Sequence, residues 1–462
     1  MGAVEAPQPV DLDGTIARTN GADGDDHISY NAGTRTAVVN GKTFVLPGYI
    51  TLVLIDGKLG TDTLSLVGTP GNDLTHVHVG SVLLECDPAH PGFDVVASNF
   101  EIVSVDGAGG AGDVAFLYDS ANSDTFTASP GTGSMVGPGY QHGVLNFETI
   151  VGRAINGGSD DRATLNDSAG NDLFDARSTL ANMAGAGYFL QAFGFNWIKG
   201  VATTGVDIGF LQDSAGDDTL TIQVEFGEII GPSYFRRAEG FDVYSARALS
   251  GGVDTAILYD STANDEFVSR GVVTLMRRNG GLAEAVAFEF VSGRAVNGGV
   301  DLAILYDTAG NDVFTATPQV ATITTAGLHR EAVGFELVAA RCMLGGSDTA
   351  TLTDSSGNDV LGVDVGVVNF TGAGFLIQTL NFLNVTVNSV NGGFDRAYFR
   401  DSIATDQFFG RGSDAEFKSG GRTVLATGFD QVSLDGTRGG LNVLNALNID
   451  YALFRTGTWS IA

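Results

Sequence analysis

The sequence predicts an all-β chain wound as a repetitive, parallel β-helix-like solenoid, and three observations carry that expectation. A phrase of the form GGxDxAxLxDSxGNDxF returns every 47 residues, with its middle aspartate at Asp213, Asp260, Asp307, Asp354 and Asp401. Inside each copy, short segments such as DLAILYD (residues 301–307) alternate apolar and polar positions, which is the period of a half-buried strand. Turn signals of the GG, AGN and GxG kinds separate those segments, and sustained 3.6-residue periodicity is missing. Repetition at such a period signals an array. About nine copies fill the chain, more than the roughly four to eight blades at which a β-propeller, the alternative, usually closes.

Taken in order, residues 1–19 read as an N-terminal leader, 20–440 as the repeat solenoid and 441–462 as a C-terminal cap. The stretch MGAVEAPQPV has no apolar core of a signal peptide. The first copies are weak but in phase, Asp26 and Asp73 standing 47 residues apart, and an insertion, CDPAHPG (86–92), follows them. A second landmark, Phe usually followed by Glu or Asp, falls at Phe100, Phe147, Phe195, Phe241, Phe288, Phe335, Phe382 and Phe429. In the last copy Asn442 and Asn448 stand where Asp395 and Asp401 stood one period earlier. Ala115, Ala163, Ala256, Ala303, Ala350 and Ala397, each with a Leu or Phe two residues on, share one strand face. They are expected to stack like on like in the interior. Four or so strands per copy leave open one wide coil or two narrow ones.

Composition narrows the function. With 24 Lys+Arg against 54 Asp+Glu and a formal charge of -30, a general nucleic-acid binder is excluded, because phosphates are held by clustered cations. Apolar residues at 43% suffice for an extensive core, while apolar runs such as Tyr49 to Ile55 fall well short of the ~20 residues of a membrane helix. Two cysteines, Cys86 and Cys342, make no disulfide framework. Cys342 takes the place of Ala154, Ala248 and Ala295 and reads as a small core residue. No phosphate loop, nucleophile motif or zinc-spaced set is present.

The phrases GADGDDHIS (21–29), GKLGTDTLS (57–65) and DSAGNDLF (167–174) resemble the nonapeptide of haemolysin-type, or RTX, calcium-binding repeats, and the whole chain resembles large bacterial surface proteins built from degenerate GND repeats. The resemblance implies a parallel β-roll, calcium between turns and a secreted or surface location. It covers about eight residues in each 47.

Hard cations take oxygens from carboxylates and turn carbonyls, so the recurring aspartates are the candidate calcium ligands: Asp26, Asp62, Asp73, Asp167, Asp172, Asp213, Asp218, Asp254, Asp260, Asp265, Asp301, Asp307, Asp312, Asp348, Asp354 and Asp359. Three per copy, for example Asp254, Asp260 and Asp265, are expected at corners turned outward, since an ionised Asp in the core is costly. The plainer reading is that they bond their own turns. Arg153, Arg247, Arg294 and Arg341 are expected to pair on the surface with Glu148, Asp242, Glu289 and Glu336. His76 and His78 share one strand face without an identifiable third ligand.

These readings converge on a non-catalytic secreted or cell-surface structural or adhesive protein that contacts matrix, envelope or glycan. The rival is a carbohydrate-active β-helix enzyme (lyase, epimerase or hydrolase) on acidic polysaccharide. The atypical stretch from Asn72 to Phe100 is where its acids and bases are to be sought.

Overall fold

The structure, a computed structural model, describes residues 10–90 and 92–462. Residues 1–9, and with them the start of the expected leader, lie outside the described residues, as does Pro91 of the insertion. The chain is all-β, a solenoid of parallel stacked coils and not a propeller. Its contacts divide it into two compact units, one running to Ser214 and including Glu225–Asp242, the other made of Ala215–Val224 and Val243–Ala462.

The winding rule is clear in the second unit. Strands alternate between two sheets that face each other. The chain climbs one sheet at Glu266–Arg270, then folds back through Val273–Arg278 and Gly281–Val286, two antiparallel pairings in the same sheet. It crosses to the facing sheet at Phe290–Arg294 and returns at Leu302–Tyr306, which pairs in parallel with Glu266–Arg270. The next copy makes its fold-back, Val313–Ala316, Val320–Thr325 and Leu328–Val333, in the opposite sheet. The cause is arithmetic: each copy has five strands, but its two fold-back turns stay within one sheet, so the chain crosses between sheets three times per copy, an odd number, and successive copies exchange sheets. A copy is therefore neither one coil nor two, but two and a half rungs. At ~4.8 Å per strand it advances the stack by roughly 12 Å.

Local chemistry makes the fold-back. Two-residue turns close both hairpins, Gly271–Val272 and Asn279–Gly280, with φ of 57° at Gly271 and 81° at Gly280. In each turn a glycine takes the left-handed backbone that a residue with a Cβ adopts only at a cost.

The inner faces carry the alternating buried residues, and here the expected like-on-like stack is corrected. Ala303 lies between Phe267 and Val338 of its neighbours, and Leu305 between Ser269 and Ala340. Small residues beside the ring of GNDxF give that ring room, and the facing sheet does the same. A Cβ on Gly293 would stand 2.5 Å from the Phe267 ring, and Gly152 and Gly200 hold the same relation to Phe126 and Phe174. The landmark phenylalanines complete this packing. Phe335 meets Phe267 with ring centroids 5.7 Å apart, and Phe382 meets Phe314 at 5.9 Å. Each such buried ring contributes about 1.5–3 kcal/mol of transfer free energy.

At the two ends, Ile16–Asn20, which overlaps the end of the expected leader, pairs in parallel with Leu52–Asp56. Val443–Ile449, Ala452–Gly457 and Ser460–Ile461, in the expected cap, continue the ladders of the preceding strands.

Candidate functional site

Where the chain passes between sheets, the aspartates meet. All sixteen candidate ligands are buried, none more than 8% exposed, so the outward-turned corners expected from sequence are corrected. Burial is tolerated because backbone amides converge on the carboxylates. Hydrogen bonds to charged groups contribute about 1.5–3 kcal/mol each, which offsets the desolvation that a bare carboxylate would suffer.

The grouping also differs from three aspartates of one copy. A corner joins the second and third Asp of a copy to the first Asp of the next: Asp260, Asp265 and Asp301 are one set. Asp260 accepts the N–H groups of Val296 (2.9 Å) and Asn297 (2.8 Å), and its other oxygen accepts Asn297 Nδ2 (2.9 Å). Asp265 accepts from Ser261 N (2.6 Å) and Oγ (2.8 Å), which is the Asx-type turn chemistry of the plainer reading. Asp301 accepts the N–H of Asp265 at 2.7 Å.

The same scheme closes the corner of Asp354, Asp359 and Asp395, and its amide part recurs at Asp307, Asp312 and Asp348, where Asp348 accepts Asp312 N at 2.9 Å. In the first unit it recurs at Asp167 and Asp172 with Asp207, whose carboxylate accepts Asp172 N at 2.7 Å. Tyr188 and Tyr140 add hydroxyl donors to Asp172 and Asp124. Asp62 accepts Asp26 N at 2.8 Å, and Asp254 accepts Asp218 N at 2.8 Å. Asp213 is buried at the edge of the first unit. Asp73 accepts Thr69 N (2.6 Å) and the amide of Asp87 (2.8 Å), so the CDPAHPG insertion helps close its corner.

Electrostatics records the crowding. Burial first, then the charges of Asp260, Asp265 and Glu336, push Asp301 up to about 6 against the lowering pull of the Asp265 amide. Asp113 is likewise raised to about 6, by burial and then by Asp73 and Glu148. Burial is the leading cause of the upward shifts of Asp119, Asp161, Asp207 and Asp359 as well. Two corners in the first unit bring three carboxylates with ligand oxygens within 4.8 Å of one another: Asp119, Asp124 and Asp161, and Asp167, Asp172 and Asp207. Such sets can take up a cation or a proton.

The acids after the landmark Phe belong to this network rather than to the arginines. Glu148, Glu289 and Glu336 accept the N–H groups of Asp113, Asp254 and Asp301 at 2.8–2.9 Å. Arg153 lies over the Phe116 ring at 5.0 Å, and Arg341 lies over Tyr306 and donates to its hydroxyl at 3.2 Å. The expected surface pairing is thereby corrected for these residues.

His76 and His78 do share a face. His76 stacks on Phe116 and donates to or accepts from the Tyr118 hydroxyl at 3.0 Å, and His78 stacks on Tyr118 with centroids 3.8 Å apart. Among the described residues, neither belongs to a group of three potential metal ligands. In the insertion, exposed His90 meets Asp87 at 3.2 Å, and burial pushes the Cys86 thiol up to about 12.

Sequence reasoning missed the outer-face grooves, which are made by side chains from strands far apart in the chain. One, of about 430 Å³, is lined by Asp364, Tyr398, Arg400, Asp435, Phe454 and Arg455 among others. Arg438 clamps Asp364 at 2.5 and 2.9 Å, and Arg400 bridges Asp364 and Asp435 at 3.5 and 3.6 Å. The Arg438 bonds hold Asp364 below the usual carboxylate range, as the Thr437 bond does for Asp435.

No family model matches the chain, and no curated protein is similar enough to count as a relative. No helix among the described residues is long and apolar enough to cross a membrane.

Proposed function

We propose that this chain is a non-catalytic secreted or cell-surface repeat protein, structural and adhesive, that binds glycan of a matrix or envelope through the outer faces of its sheets. The observation that carries the reading is the groove of Tyr398, Arg400 and Phe454. Tyr398 and Phe454 are 43% and 57% exposed there, and exposed aromatic faces flanked by fixed polar groups suit stacking on sugar rings. Its two carboxylates both lie below the usual carboxylate range, whereas a glycosidase acid needs a raised pKa. The corner aspartates are engaged with backbone amides, consistent with a framework role.

Calcium belongs to the same proposal, as a stabiliser of corners where several buried carboxylates face one another. Millimolar calcium, against chelator and against matched sodium chloride, is expected to raise Tm. Equal effects of the two salts would reduce the corners to amide-bonded turns.

For the groove, a panel of neutral and uronic-acid polysaccharides is expected to show binding that Tyr398→Ala and Phe454→Ala abolish without changing the β-sheet circular dichroism. Appearance of unsaturated or reducing products would overturn the non-catalytic reading in favour of a lyase or hydrolase.

A further inference from the structure

One corner departs from its sisters at two positions at once. In the neighbouring set, Asn391 Nδ2 donates to Asp354 Oδ1 at 2.9 Å, and Ser389 Oγ donates to Asp395 at 2.5 Å. At the Asp260 corner, Asn297 plays the first part, and Ala295 stands at the second position. In the corner of Asp307 the corresponding residues are Leu344 and Cys342. Leu344 supplies only its backbone N–H, which with that of Met343 goes to Asp307 Oδ2 at 2.8 Å. Asp307 Oδ1 is left buried with no hydrogen-bond partner, in a residue that is 0% exposed.

Into the same corner the second change brings sulfur. Asp307, Cys342 and Asp348, all buried, each place a ligand atom so that the three lie within 4.8 Å of one another. A buried carboxylate oxygen without a donor is costly, and neither Asn nor Ser, which close the sister corner, is present to relieve it.

We infer that the Asp307–Cys342–Asp348 corner is a binding site for a thiophilic divalent cation of the zinc or cadmium class. Two carboxylates and one thiolate are a ligand set for a borderline-soft ion, with Zn–S near 2.3 Å and Zn–O near 2.0–2.2 Å. A hard ion such as calcium gains little from sulfur, so this corner is distinguished from the carboxylate corners in its metal preference. Binding replaces the Cys342 S–H bond by an S–metal bond and releases one proton to solvent. The ion then satisfies the unpaired Asp307 oxygen and ties the corner after Leu302–Tyr306 to the segment between Leu337–Arg341 and Thr349–Thr353.

The test uses the full chain, stripped of metal, with cobalt(II) as a spectroscopic probe and zinc for calorimetry. One equivalent of cobalt is expected to give a thiolate-to-cobalt charge-transfer band, and zinc is expected to displace it, with release of about one proton per ion and a rise in Tm. Cys342→Ala installs the sister residue and should fold. It is expected to lose the band and weaken zinc binding at least tenfold, while Cys86→Ala keeps both. Leu344→Asn closes Asp307 as in the sister corners and is expected to weaken binding several-fold. Refolding from urea with cobalt present gives the buried site free access. Absence of the band after refolding, or a band unchanged in Cys342→Ala, would overturn the inference.

Discussion

The neighbouring corners of Asp354 and Asp307 have the same three aspartates and the same strand geometry, yet one is closed and the other is not. At Asp354 the side chain of Asn391 completes the ring of donors. At Asp307 two backbone amides serve one oxygen and nothing serves the other. The comparison separates two contributions that coincide elsewhere: amides fix the shape of the corner, and the Asn side chain removes the remaining electrostatic penalty. A repeat can forgo the second and still fold, which leaves that position open to a new task.

The largest expected effect is at the closed corner. Asp354→Ala removes the acceptor of the Asn391 amide and side chain and leaves buried donors, so a loss of about 3–4 kcal/mol is expected in urea unfolding. Asp307→Ala should cost less, about 2–3 kcal/mol, because no side-chain donor is orphaned there. Equal losses would mean that the Asn side chain contributes nothing.

Exchanging the two closures is expected to act in opposite directions. Asn391→Leu should destabilise by about 1–2 kcal/mol, and Leu344→Asn should stabilise metal-free protein by about 0.5–1.5 kcal/mol, the scale of one hydrogen bond. If both changes destabilise, shape at the corner outweighs closure.

The smallest effect is pH dependence at a third corner. Asp301, raised to about 6, lies above the ~3.9 of an unfolded-chain aspartate. The folded state therefore binds its proton more tightly, and this contribution is full below ~4 and is lost as pH rises through about 6. Acidifying from pH 7.5 to 5.5 is expected to raise Tm by about one degree through this group. Asp301→Asn, which keeps an oxygen for the Asp265 amide, should reduce that slope, the remainder belonging to Asp113 and the other raised carboxylates. A slope unchanged in the variant would place the titration elsewhere.

Much of the fold was legible because strand alternation and a 47-residue period are properties of the chain itself. The all-β solenoid followed from DLAILYD and its copies. What the period concealed was strand parity. Partners across a rung lie about 36 residues apart, as in Asp265 and Asp301, because the fold-back hairpin interrupts the climb. The Asn279–Gly280 turn was the signal for it. The burial of Asp260 was illegible for a related reason: its donors, Val296 and Asn297, stand at the far end of the copy, past the whole fold-back. Cys342 stands buried in the place of an alanine, as its position in the repeat implies; the unpartnered oxygen that Leu344 leaves beside it depends on a contact between segments 37 residues apart and was not legible.

The exchange of sheets between successive copies bears on how such a gene can grow. Duplicating or deleting a single copy within a unit turns every residue beyond the junction to the opposite side, so a groove assembled from several rungs would be split between the two flanks. Adding copies in pairs preserves the side on which each downstream surface is displayed. Recombination that keeps the phase perfect can thus still scramble the display, and lineages that conserve a binding flank should differ by even numbers of copies.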